Sequence, residues 1–408
     1  MSFKRNVIML AGSGFIAQAL PVLLSPILTR LYEPSVFGEY SLITSIIILL
    51  SILATGRYEL AMFADGGKDE KLRIVSLCWL WSFVFALLSL GVLAFLYVIE
   101  WQYFSLIYLL IPFGLFFYAT YQVNYCFQNS EANYKFMVRL RVMHSVILIT
   151  SQLVFGLLIS SPSGMLLGFI LSYVLIYYLN IRLGVNAKLI PNFKSKFYIE
   201  LMTKHKKYPM FLLPGHFLNS LARLSPNLLL PVNYSFVDAG YFLLIQRVLG
   251  APVSIIANSV SDVFKEEAAK SIRLNGNCHD IWVGTFKKLL FVGALGGVIG
   301  YIFIEPIILL LFGVEWSQSG VYAKILLPMF CFQFVASPLS CLFYICGKQR
   351  HDLGLQVVIS LVTVPIFFLS PDIKTALTIY SVSYVAIYSY VIALTFVFSR
   401  GSSEEIID

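Results

Sequence analysis

The chain has 408 residues, 59% of them hydrophobic and only 12% charged. Too little polar surface remains to wrap a water-soluble core of ordinary composition, so lipid must be the main solvent and little is left over for a soluble domain. The net charge of +8 would suggest nucleic acid in a soluble protein, but in a membrane protein its distribution over the loops matters more than its sum, and no nucleic-acid partner is expected.

Lys4 and Arg5 precede an apolar run that continues to Leu28. The run is too long for a signal peptide and lacks a small-residue cleavage site, so it is expected to remain as a first span. A bilayer core about 30 Å thick takes roughly 20 apolar residues per helix. Stretches of that kind recur at 7–29, 36–56, 73–98, 104–127, 141–160 and 163–183, then at 209–230, 236–260, 283–312, 320–346, 354–369 and 374–398. The fold class expected is therefore an all-α polytopic membrane protein of about 12 transmembrane helices. The stretch 354–369 is short, and 283–312 is long enough to tilt or to break near Pro306.

With a cytoplasmic amino terminus, 24 of the 29 lysines and arginines fall on cytoplasmic connections, which predicts both termini in the cytoplasm. The expected periplasmic connections are short, as at 160–164 and 313–319, and offer no domain for polymer binding or catalysis. Trp101 and Trp316 fall at expected periplasmic edges and Trp282 at a cytoplasmic one, where interfacial anchors belong. The basic connection near 185–208 divides the chain into six-helix lobes at 1–184 and 209–398, followed by a cytoplasmic tail at 399–408. Its lysines fit ordinary positive-inside bias or attraction to anionic membrane lipids.

Two short matches recur in the same order in both halves. Ser25-Pro26 returns as Ser225-Pro226, and Phe37-Gly38-Glu39-Tyr40 as Ala239-Gly240-Tyr241-Phe242, at offsets of 200 and 202. Six spans is an even number, so such halves would be related by an axis along the membrane normal. Pro26 and Pro226 interrupt the helical hydrogen bonding of spans 1 and 7, either as bending points or as static kinks.

Charges inside the spans stand out because a lipid-facing charge costs at least about 2.5 kcal/mol. Arg223 and Arg247 lie deep in spans 7 and 8 and need an aqueous cavity, partners, or backbone carbonyls at broken helices. Arg30 and Lys324 lie nearer the periplasmic edge, where they either join Arg223 and Arg247 in binding substrate or snorkel in a structural role. No carboxylate falls in the central third of any span, so the cavity should be positive and suited to an anion. Arg57 and Glu59 close span 2 two positions apart; on a helix they would not share a face, so different partners are expected, for gating or for an interhelical salt bridge.

The six cysteines and five histidines show no ligand spacing, and no catalytic motif is present. No metal, cofactor or catalytic residue is expected, and the chain reads as a transporter rather than an enzyme.

Several segments together resemble the Wzx-type O-antigen and lipid-linked oligosaccharide flippases. These form a branch of the polysaccharide transporter family within the multidrug/oligosaccharidyl-lipid/polysaccharide (MOP) exporter superfamily. The segments are Leu31-Tyr32-Glu33-Pro34 through Tyr40, Thr55-Gly56-Arg57-Tyr58-Glu59-Leu60-Ala61, Lys207-Tyr208-Pro209 through Pro214, Ala239 to Phe242 with Arg247-Val248-Leu249 and Pro252, and Asp262-Val263-Phe264. The resemblance implies two lobes around a central cavity that opens alternately to cytoplasm and periplasm. It implies an undecaprenyl-diphosphate-linked glycan as substrate, the bacterial inner membrane as location, and other polysaccharide assembly proteins as partners. A diphosphate would account for the buried arginines, since guanidinium matches phosphate bidentately. A multidrug exporter of the same architecture would want central carboxylates. A polysaccharide polymerase or acyltransferase would want a large extracytoplasmic loop or clustered catalytic His and Asp. Neither set is found.

Overall fold

In a computed structural model, residues 3–64, 67–101, 104–182 and 195–401 are described, and no strand occurs among them. Residues 183–194, which include the first part of the expected linker, and the tail 402–408 lie outside the described residues. The helices are α1 (Phe3–Leu31), α2 (Pro34–Thr55), α3 (Lys68–Val98), α4 (Ile111–Ser130), α5 (Tyr134–Ile159), α6 (Pro162–Arg182), the short α7 (Ser195–Lys204) and α8 (Leu213–Asn233). They continue with α9 (Phe236–Asn275), α10 (His279–Phe312), α11 (Ser317–Leu339), α12 (Gln349–Leu369) and α13 (Ile373–Ser399).

Eleven of these are long and apolar enough to cross a membrane, where twelve spans were expected. The difference is α8. It has the length, but His216, Asn219, Arg223 and Asn227 along its course dilute its hydropathy. α10 runs unbroken for 34 residues through Pro306, so the long span does not break there. On α3 and α10, Leu88, Phe95, Phe291 and Leu310 face outward, the arrangement expected when lipid rather than water surrounds the bundle.

Proline leaves a local mark. Tyr208–Leu212 and Gln246–Gly250 are single π-helical turns, and each ends two residues before a proline, Pro214 or Pro252. A proline ring clashes with the carbonyl four residues back and cannot bond to it, so the preceding turn widens to keep its remaining bonds. At Pro226 the repair is different. The carbonyl of Ala222, deprived of its amide partner, accepts the Ser225 hydroxyl at 2.7 Å, and α8 stays continuous.

Neighbour relations repeat. In the first half α1 packs on α5, α5 on α6, α2 on α4, α3 on α4 and α4 on α6; in the second, α8 on α12, α12 on α13, α9 on α11, α10 on α11 and α11 on α13. Six helices on each side thus share one pattern. The groups meet mainly through α2 against α8 and α9, and more sparsely through α1 against α9 and α10. The largest apolar cluster runs across this junction, joining Phe37 and Ile43 of α2 to Leu230, Phe242 and Trp316.

Trp316 is not an interfacial anchor. It is fully buried, donates its Nε1–H to the Thr29 carbonyl at 3.3 Å, and meets Phe37 edge-on with centroids 4.8 Å apart. Trp282 is likewise buried and donates to the Thr395 hydroxyl at 3.2 Å. Both expectations failed for one reason: a tryptophan at a helix end can turn inward when a neighbouring group supplies the acceptor its indole needs. Trp101 is 44% exposed, as an anchor would be.

Candidate functional site

The junction holds two polar pockets. The smaller, about 120 Å³, is enclosed by the far end of α2, by α4 and by α8, and its polar lining includes Ser51, Thr55, Arg57, Glu59, Gln122 and Arg223. Arg57 occupies a turn rather than a helix. Gly56 and Arg57 both adopt left-handed conformations, φ 57° and 59°, before the 3₁₀ turn Tyr58–Phe63. That reversal folds Arg57 onto Glu59, Nη1 to Oε1 at 3.1 Å. The expectation of separate partners assumed α-helical geometry and is corrected by the turn.

Glu59 is only 2% exposed, and its second oxygen, like Nε of Arg57, has no hydrogen-bond partner among the described residues. The pair is therefore internally neutralised but under-satisfied. Arg223 projects into the same pocket from the middle of α8, exposed and with no carboxylate within ion-pair distance among the described residues. The pocket keeps one uncompensated positive charge, surrounded by hydroxyl and amide groups. That combination suits an anion with several oxygens.

Arg247 does not line this pocket. It lies in the π turn of α9, with its guanidinium 5.1 Å from the centre of the Phe37 ring and one buried nitrogen, Nη1, without a hydrogen-bond partner among the described residues. Phe37 is near the start of α2 and Ser51 near its end, roughly 21 Å apart along the helix. The two arginines thus meet α2 at different depths rather than side by side.

The more peripheral cations have neighbours of their own. Lys324 pairs with Glu305 at 2.9 Å and lies over the Tyr301 ring. Arg30, at the last turn of α1, lies beside Gly313, where a Cβ would be 3.2 Å from its Nη1. Among the described residues no group of histidines, cysteines or carboxylates is placed to hold a metal, and all six cysteines are free thiols.

A second pocket, about 290 Å³, lies between α1, α4 and α5 on one side and α9 on the other, with Gln18, Tyr125, Asn129 and Arg141 facing Asn258, Ser259 and Asp262. Arg141 donates to the Tyr125 hydroxyl. The sequence places Arg141 at a cytoplasmic helix end, and only the packing of α5 against α4 brings it to Tyr125.

A family model described as polysaccharide biosynthesis protein matches residues 3–264, which takes in α1 to α8, most of α9, Arg57, Arg223 and Arg247. The chain belongs to this family. Solved structures of the same fold are similar to this member of the polysaccharide biosynthesis family at low sequence identity. The lipid II flippase MurJ, in an inward closed conformation, is 14% identical with a TM-score of 0.68, covering 96% of this chain and 90% of that one. The MATE transporter VcmN of Vibrio cholerae is 12% identical with a TM-score of 0.60, covering 96% and 95%. An outward-facing multidrug resistance MATE transporter of the MOP superfamily is 11% identical with a TM-score of 0.57, covering 97% and 95%. Comparison with curated protein sequences gives no match. The shared fold is that of MOP-superfamily transporters, and the eleven long apolar helices make the chain a multi-pass membrane protein.

Proposed function

We propose that this protein is a flippase that carries an undecaprenyl-diphosphate-linked oligosaccharide, an O-antigen or similar repeat unit, from the cytoplasmic to the periplasmic leaflet of the bacterial inner membrane. The reading rests on one observation above all: Arg223 presents to a polar pocket at the junction of the two helix groups a guanidinium with no ion-pair partner among the described residues. The planar fork can hold two phosphate oxygens at once, and desolvation strengthens the pairing. The fold likeness to a lipid II flippase supports a lipid-linked substrate.

In this scheme residues 1–184 and 209–398 move as two lobes joined by the 185–208 linker, and both termini and the 399–408 tail lie in the cytoplasm. The diphosphate meets Arg223 in the cytoplasmic half and Arg247 nearer the periplasmic end, in that order. Their separation along α2 makes them successive stations rather than one clamp. The lipid tail stays in the bilayer while the glycan crosses through the opening between lobes. Lys324, already paired with Glu305, and Arg30, at the rim, carry no step. Other polysaccharide assembly proteins would deliver and consume the substrate.

The test is genetic. Deleting the gene in a strain without a redundant flippase should leave undecaprenyl-linked repeat units on the cytoplasmic leaflet and remove surface polysaccharide. Normal surface polysaccharide in that strain would end the proposal.

A further inference from the structure

The two halves share a packing pattern but break it at one pair of helices. In the first half α5 and α6 press together along their length, so closely that a Cβ on Gly168 would stand 2.9 Å from the backbone nitrogen of Gln152. The corresponding α12 and α13 meet over a much shorter stretch and leave a groove of about 630 Å³ on the outside of the bundle. That is within the roughly 300–1,000 Å³ range of specific small-molecule sites. It lies well away from the Arg223 pocket and shares no residue with it.

The walls are apolar, formed by Leu355, Val358, Ile387 and Leu394, while the mouth carries Arg350 and His351, both exposed in the first turn of α12. Among the described residues no carboxylate lines the groove. Asp352, the nearest in sequence, accepts the Tyr344 hydroxyl at 2.9 Å. Arg400 adds a further exposed cation at the adjoining end of α13. From Arg350 to Val358 the groove descends about 12 Å along α12, less than the depth of one leaflet of a hydrocarbon core about 30 Å thick.

We infer that this groove is a binding site for one anionic phospholipid, its phosphate at Arg350 and His351 and an acyl chain between α12 and α13. A soluble anion would find only the Tyr390 hydroxyl on otherwise apolar walls, and a zwitterionic lipid would forgo the cationic mouth. A polyprenyl chain is far longer than the groove. The charge, the apolar lining and the single-leaflet depth together specify an amphiphile with a negative head. The site is independent of the transported substrate and stands whether or not the flippase reading does.

Native mass spectrometry of the full-length protein in detergent tests it, with phosphatidylglycerol and phosphatidylcholine as probes. Gly354 lies on the groove, and a Cβ there would have no atom within 4 Å, so Gly354→Phe has room to begin a side chain that occupies the groove. Ala386→Leu does the same from α13. Wild-type protein should retain one phosphatidylglycerol about tenfold better than phosphatidylcholine, both groove-filling variants should lose it, and Arg350→Gln should erase the preference between the two lipids. Equal phosphatidylglycerol retention by wild type and by either correctly folded groove-filling variant would overturn the site. So would an absence of headgroup preference in the wild type, or one-for-one displacement of phosphatidylglycerol by undecaprenyl phosphate.

Discussion

Gly38 and Gly240 hold the two halves of the chain together in a reciprocal crossing. A Cβ on Gly38 would stand 1.8 Å from the carbonyl oxygen of Phe236, and a Cβ on Gly240 would stand 1.8 Å from that of Pro34. Each glycine lies four residues after the start of its own helix and against the first residue of the other. The two helices therefore begin at the same end of the bundle and pack backbone to backbone there, as small residues allow in membrane proteins.

Gly38→Ala and Gly240→Ala must each push α2 away from α9, because the obstacle is a backbone carbonyl and not a movable side chain. Overpacking of this kind costs about 1–3 kcal/mol. Scanning fluorimetry in detergent should show a lower midpoint for each variant, with the double variant less destabilised than the sum, since the first substitution opens the space the second needs. Midpoints at the wild-type value would contradict so tight a crossing.

The Arg57 turn separates strain from charge. At φ 59° and ψ 15° a non-glycine residue is held in a conformation costing of order 1–3 kcal/mol. Arg57→Ala loses the ion pair and keeps the strain, while Arg57→Gly loses the ion pair and relieves it. The glycine variant should be the more stable of the two by about 1 kcal/mol. If alanine proves equal or better, the left-handed conformation is not strained in this setting.

The topology of the proposal follows from the placement of basic residues. Reporter fusions after Lys207 and after Arg400 should both read cytoplasmic, with 24 of the 29 lysines and arginines on that side. A periplasmic signal at either position would require a different number of crossings and would reverse the direction of transport.

Much of this architecture was legible in the chain because lipid solvation imposes a coarse rule, one apolar helix per crossing, that needs no knowledge of neighbours. The glycine repeat at 38 and 240 was legible too, although only the packing reveals that each glycine is fitted to the other's helix. What escaped were contacts set by partners distant in sequence or by local backbone reversals. Trp316 turned inward because the Thr29 carbonyl lies 287 positions away, and Arg57 met Glu59 because two left-handed residues replaced a helical turn. α8 was counted as an ordinary span although its polar residues, Arg223 among them, serve the junction rather than lipid. Its departure from apolar composition is itself the signal of the site.

In the proposed pathway Arg223 and Arg247 handle the phosphates of the substrate, and a flipping assay in proteoliposomes measures their contribution. The assay would use an undecaprenyl-diphosphate-linked glycan, with variants that match the wild type in expression and melting midpoint. Arg223→Ala and Arg247→Ala should each slow flipping at least tenfold, the loss of one charge-assisted contact of about 1.5–3 kcal/mol, and lysine at either position should restore part of the rate because an ammonium lacks the planar fork. Lys324→Ala, which removes a residue already paired with Glu305, should leave the rate within about twofold, as expected for a partly exposed ion pair. Wild-type rates in both arginine variants would contradict the cationic pathway at its centre.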